Sequence, residues 1–258
     1  MERPFTSFEI DVLRKTFFDR GYLVLDSYIP TVTLDNLIHK LDPYWNSKTV
    51  PIGLLNQELQ EANLKRGSNR LQDLWEVIPE VRSIAKNTYT LKVLEAIFGK
   101  SPRPFQTLNF QLGTEQAIHS DSVHFNSEPF GLMCGVWVAL EDINYDQGPL
   151  VYYPESHKLP EITKELIGFV PTEENYSKLV SYWEEIIQMK SFQQELGILK
   201  KGQSIIWHAH LLHGGYTRTD KSKTRNSQVT HYYFEGARPW RQLQSVETIK
   251  YFEPNWIT

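Results

Sequence analysis

Cysteine is nearly absent from this chain: Cys134 is the single one. An internal disulfide framework is therefore excluded, and a reducing compartment is expected. Long apolar runs are missing too, so no segment reads as a bilayer-spanning helix. The start, Met1-Glu2-Arg3-Pro4-Phe5, lacks the basic opening and apolar core of a signal peptide. Neither charge sign dominates, since 27 basic residues face 31 acidic ones for a net charge of -4. That argues against nucleic acid or an anionic membrane as partner. Repeats and low-complexity tracts are lacking as well. The expectation is a soluble cytoplasmic protein. Nothing in the sequence speaks to its oligomeric state.

What is present is apolar and aromatic material, 40% and 13% of 258 residues. It suffices for one domain over residues 1–258. Residues 1–100 read as mainly helical. Thr6 and Glu9 suit a capping box, Ile10, Leu13 and Phe17 follow at helical spacing, and Gly21 suits a stop. A short strand is expected at Tyr22-Leu23-Val24-Leu25. Residues 50–69 are polar and irregular, an ordinary surface loop or a mobile flap. From Ser101 to Gly236 the pattern changes to short strands between turns. They are expected at 105–112, 132–140, 150–153, 204–207 and 228–234. A helical insertion, residues 160–197, carries the stripe Tyr176, Leu179, Val180, Trp183, Ile186 and Ile187. Residues 237–258 form a C-terminal extension. The fold class is mainly β with flanking helices: a jelly roll or cupin-like barrel, whose interior can hold a metal and a small ligand.

The chemistry centres on Ile118-His119-Ser120-Asp121. A His and an Asp two apart on an extended strand point to the same face, where both can reach one ion. The best third ligand is His213, in Trp207-His208-Ala209-His210-Leu211-Leu212-His213-Gly214-Gly215, with His208 and His210 as rivals. Two imidazoles and one carboxylate leave open positions opposite, the facial triad of non-haem Fe(II) oxygenases. Beyond a polar turn, Arg225 and Ser227 alternate onto one face. Taken alone, Arg225 reads as a solvated loop charge. Inside a barrel it would call for a carboxylate, which its planar fork suits better than a Lys would.

In this order the residues resemble the phytanoyl-CoA dioxygenase family of Fe(II)/2-oxoglutarate-dependent oxygenases. His119-Ser120-Asp121 is similar to the family's His-x-Asp. Trp137-Val138-Ala139-Leu140-Glu141-Asp142 is similar to the strand after it. Gly148-Pro149-Leu150 leads into Pro154-Glu155-Ser156-His157-Lys158, which resembles the family's Pro-Gly-Ser-His-Lys. His213-Gly214 resembles the distal ligand, and Arg225 lies at about the family's distance beyond. Glu155 departs from the usual Gly; if that turn needs positive φ, Glu155 carries strain.

The resemblance implies a double-stranded β-helix with His119, Asp121 and His213 holding iron. It implies 2-oxoglutarate as co-substrate, its far carboxylate held by Arg225 with help from Ser227 and with Trp137 beside it. It implies use of O2 and release of succinate and CO2. Relatives that halogenate replace the carboxylate of the triad, so Asp121 points to hydroxylation of an unactivated C–H bond or another oxidative outcome. A small metabolite or natural-product intermediate is the expected substrate, with His124 and Gln116 as contacts. Two other readings are a catalytically silent jelly roll that binds a metal or ligand, and a cupin-like non-oxidative metalloenzyme.

Overall fold

The computed structural model describes residues 4–46 and 70–258, so the expected loop or flap at 50–69 lies outside the described residues. The chain opens with α1 (Ser7–Arg20), started by the Thr6–Glu9 capping box and stopped by Gly21 at φ 84°. There follow β1 (Tyr22–Asp26) and α2 (Thr31–Asn46), then β2 (Leu71–Gln72). Two helices come next, α3 (Pro79–Ala85) and α4 (Thr88–Phe98), the latter capped by the Asn87 side chain. The strands β3 (Pro102–Phe110), β4 (Asn126–Glu128), β5 (Met133–Ala139) and β6 (Leu150–Tyr152) open the β-rich part. The insertion supplies α5 (Lys164–Ile167) and α6 (Tyr176–Lys190). Then come β7 (Glu195–Leu196), β8 (Gln203–His208), β9 (His213–Gly215), β10 (Ser227–Phe234) and β11 (Arg238–Trp240).

The main sheet has the order β1-β8-β5-β10-β3-β2, with every pair antiparallel. A smaller sheet, β7-β6-β9, and the pair β11-β4 complete the jelly roll. Alternation along the main strands divides their side chains between two cores. Cys134, Val136, Val138, Ile206, Tyr232 and Phe234 face the helices and join Phe17, Leu37, Leu94 and Ile97 in the larger core. Trp137, Ile205, Trp207 and Val229 face the other way and pack with Leu150 and Tyr152 of the smaller sheet. Cys134 is a buried thiol on the helix side, and burial pushes its pKa up.

The insertion is a core-facing helix, as its stripe implies. Leu179 and Trp183 are buried against Val123, Leu212 and Leu243. Residues 237–258 are woven in: β11 pairs with β4, and Leu243 shares that same core. Glu155 does adopt a left-handed conformation, φ 70°, at a turn that then places His157 against the Phe18 carbonyl. No helix among the described residues is long and apolar enough to cross a membrane.

Candidate metal centre

The inward face of the main sheet forms one wall of a cavity of about 240 Å³. Gln106, Leu108 and Phe110 come from β3, Trp137 from β5, Trp207 from β8, and Val229 and His231 from β10. Gly135 lies opposite Trp207 in the β5–β8 register, and a Cβ there would meet the indole at 2.4 Å. Only glycine leaves room for that ring.

His119 is not on a regular strand. A two-way bridge ties it to His213, His119 N to His213 O at 2.8 Å and the reverse at 2.9 Å. Gly214 permits the approach, since a Cβ there would sit 2.8 Å from the Gln116 carbonyl oxygen. Ser120 is extended, at φ -120° and ψ 133°, and Asp121 then opens a short 3-10 turn. The extended step at Ser120 still presents His119 and Asp121 to one point, as the spacing predicts.

His119, Asp121 and His213 are all buried, with ligand atoms within 4.8 Å of one another. Each Nε2 lies 3.8 Å from Asp121 Oδ1. His119 Nδ1 donates to the Ala117 carbonyl and His213 Nδ1 to that of Leu211, both at 2.9 Å. Spending Nδ1–H on the backbone fixes the tautomer and leaves the Nε2 lone pair for an ion. Gln116 lines the mouth, its amide nitrogen 3.3 Å from His119 Nε2. Burial holds the His119 pKa down at about 3, with His213 adding to the effect. For Asp121, burial acts upward, but His213, His231 and His119 outweigh it and hold the carboxyl low.

The second oxygen of Asp121 is held from behind. Trp207 Nε1 donates to Oδ2 at 2.7 Å, and His231 Nε2 stands 3.6 Å from it. His231 Nδ1 in turn donates to Gln106 Oε1 at 3.0 Å. Sequence reasoning missed His231 and Gln106. The signal for His231 was present, because it shares parity with Val229 along β10.

Arg225 lies in the same cavity, 3% exposed, its guanidinium over the rings of Trp137 at 5.1 Å and Phe110 at 5.7 Å. It makes one long bond, Nη2 to the Leu112 carbonyl at 3.4 Å, while its buried Nε has no partner. Burial lowers its pKa to about 10. Ser227 is fully buried but does not line the cavity; its hydroxyl donates to the Arg225 carbonyl at 3.3 Å. His124 does line it, with Nε2 3.2 Å from the Tyr176 hydroxyl. Arg70, Gln72, Arg241, Leu243 and Gln244 also line it, without any sequence signal. His208 and His210 are buried elsewhere and do not join the cluster.

Fold and cluster together define the class: a jelly-roll protein whose cavity gathers two imidazoles and one carboxylate about a point. Residues 18–225 match the family described as Phytanoyl-CoA dioxygenase (PhyH), and the chain belongs to that family. Among named relatives, it is 25% identical to phytanoyl-CoA dioxygenase domain-containing protein 1 of Danio rerio, over 79% of this chain and 83% of that protein. It is 20% identical to the peroxisomal phytanoyl-CoA dioxygenase of Homo sapiens, over 78% of this chain but only 62% of that protein. Of solved structures, the non-heme alpha ketoglutarate dependent carbocyclase SnoK superposes with a TM-score of 0.70 at 12% identity, covering 100% of both chains. EctD from S. alaskensis, with 2-oxoglutarate and 5-hydroxyectoine, gives 0.66 at 16% identity, over 96% of this chain and 82% of that one. Likeness this distant speaks for the shared fold.

Proposed function

We propose that this chain is an Fe(II)- and 2-oxoglutarate-dependent oxygenase that hydroxylates an unactivated C–H bond of a small molecule. The observation that carries the reading is a pairing within one cavity. A buried His119–Asp121–His213 cluster shares it with a buried Arg225 whose Nε lacks an acceptor. The donor set suits a divalent transition metal with open positions. An isolated guanidinium in such a setting suits an anion that arrives with a ligand.

In this reading His119, Asp121 and His213 hold the metal through Nε2, Oδ1 and Nε2. Arg225 binds the far carboxylate of 2-oxoglutarate, with Trp137 flanking it, and Ser227 steadies the backbone of Arg225. Trp207 and His231 orient Asp121. His124 and Gln116 face the substrate. When bound, iron and 2-oxoglutarate supply the oxidation, with release of succinate and CO2 from the co-substrate. The protein's part is to position the C–H bond and exclude water. The alpha ketoglutarate dependence of SnoK and the 2-oxoglutarate bound by EctD support the co-substrate.

The test is oxygen-dependent conversion of 2-oxoglutarate to succinate by the Fe(II)-loaded protein. Turnover is expected, lost in Asp121→Ala and sharply reduced in Arg225→Ala. Metal binding without turnover over a broad substrate panel would favour a silent binding protein. Activity with Zn(II) in the absence of oxygen would favour a non-oxidative metalloenzyme.

A further inference from the structure

His124 lines the cavity beside the metal cluster, its ring 6.3 Å from that of His119. Behind it stands Tyr176, the first residue of α6, which does not line the cavity. The two rings are 5.4 Å apart, and the Tyr176 hydroxyl lies 3.2 Å from His124 Nε2. The helix holds that hydroxyl in place. Tyr176 meets Trp183 edge-on at 6.1 Å, and Trp183 and Leu179 are buried in the core of the insertion. Asn175 ties down the approach to α6, accepting from the Thr172 amide and donating to the Val170 carbonyl, both at 2.8 Å.

The direction of the Tyr176–His124 bond follows from what else each group can reach. Burial pushes the Tyr176 pKa up, so the phenol keeps its hydrogen. Among the described residues that hydrogen has no acceptor other than His124 Nε2. A hydrogen on Nε2 would point at the phenol oxygen and leave the phenol O–H without a partner. The hydroxyl therefore donates to Nε2, and the neutral ring carries its hydrogen on Nδ1. Nδ1 has no partner among the described residues, and it is not sealed in the interior as Arg225 Nε is. It is a donor left over on a ring that faces the cavity.

We propose that Tyr176 fixes His124 as a neutral Nδ1–H donor beside the metal cluster, and that the substrate presents to it an uncharged oxygen acceptor such as a carbonyl. Tyr176 is then a positioning residue that acts through His124. The inference rests on the oxygenase reading, because His124 meets a substrate only if this cavity is where the substrate sits.

The test begins with the ring itself. Long-range 1H–15N spectra of the Zn(II)-loaded protein, labelled with 15N-histidine, report the tautomer of His124, whose signals are assigned by their loss in His124→Phe. The Nδ1–H form is expected in the wild type and the Nε2–H form in Tyr176→Phe. An Nε2–H form in the wild type, or no change in Tyr176→Phe, would overturn the proposal. The second arm titrates the Zn(II)- and 2-oxoglutarate-loaded protein with acetophenone and with α-methylstyrene, which has a CH2 in place of the oxygen. Acetophenone should bind roughly fivefold more tightly, with a shift of the His124 Nδ1 signal. The preference should be lost in His124→Phe and weakened in Tyr176→Phe; should the first variant fold poorly, the second carries this arm. Equal affinity for the two probes, no binding of acetophenone, or a preference that survives both substitutions would also overturn it. Binding of 2-oxoglutarate to the wild-type protein is measured beforehand. Its failure would count against the oxygenase reading instead, whereas the tautomer is read without it.

Discussion

His208, His210 and His213 leave one short stretch of chain, and all three are buried, yet their surroundings differ. His213 spends Nδ1–H on the Leu211 carbonyl and turns Nε2 toward Asp121. His210 uses both nitrogens on structure, Nδ1 accepting from the Ser122 hydroxyl at 2.8 Å and Nε2 donating to the Pro160 carbonyl at 3.1 Å. His208 Nδ1 accepts the His210 amide at 3.1 Å, and its ring packs near those of Phe17 and His157. Burial is common to all of them. What sets His213 apart is a nearby carboxylate and an Nε2 turned toward it, where His210 gives its second nitrogen to the Ser122 hydroxyl. For His213, the nitrogen the backbone consumes decides which one is left to face Asp121.

The largest effect that would break this contrast is loss of metal from the wrong variant. Asp121→Ala and His213→Ala should each weaken metal binding by more than about 100-fold, beyond the range for residues that merely support a ligand. His208→Ala should leave metal stoichiometry intact while lowering Tm; equilibrium dialysis with Fe(II) or Mn(II) distinguishes them. Next in size, Arg225→Ala should reduce 2-oxoglutarate affinity by roughly 10- to 100-fold, as expected for a charged hydrogen-bonded pair. Arg225→Met should leave the ligand-free protein as stable as the parent or more so, because a buried, poorly paired cation is removed.

Smaller still is Trp207→Phe. It keeps the ring but deletes the bond to Asp121 Oδ2, and metal affinity should fall by about tenfold with little change in Tm. The histidines outside the cluster have their own signature in pH. Burial holds His208 at about 3 and His210 at about 4, against roughly 6.5 when unfolded. Between those values the unfolded chain binds more protons. Their contribution is complete above pH 6.5 and is lost as pH falls toward 4. The metal-free protein should therefore melt several degrees lower at pH 5 than at pH 7, and His208→Ala should flatten that slope. The smallest effect is Glu155→Gly, which relieves a left-handed non-glycine residue that does not line the cavity. It should stabilise by about 0.5 kcal/mol in a denaturant titration and leave metal affinity unchanged.

How much of this was legible in the sequence depended on length of signal. The long strands β3, β5, β8 and β10 could be read from apolar, β-branched and aromatic runs, and the stripe on α6 from helical spacing. Of the strands of two or three residues, β6 was foreseen at 150–153, whereas β4, β7 and β11 fall below any periodicity and arise from long-range pairing. The spacing of His119 and Asp121 foretold a shared face but not the bridge and 3-10 turn that produce it. Arg225 was ambiguous alone, and its place beside Phe110 and Trp137 follows from β3 and β5 flanking β10. His231 was masked by an aromatic strand. Arg241 gave no hint, because its place depends on β11 finding β4.

The most direct measurement is an anaerobic titration of the protein with Fe(II) and 2-oxoglutarate, following the visible metal-to-ligand charge-transfer band. The account predicts a band that saturates at one iron and one 2-oxoglutarate per chain, persists in His208→Ala, and is lost in His213→Ala. A band that survives His213→Ala, or disappears with His208→Ala alone in a folded protein, would contradict it.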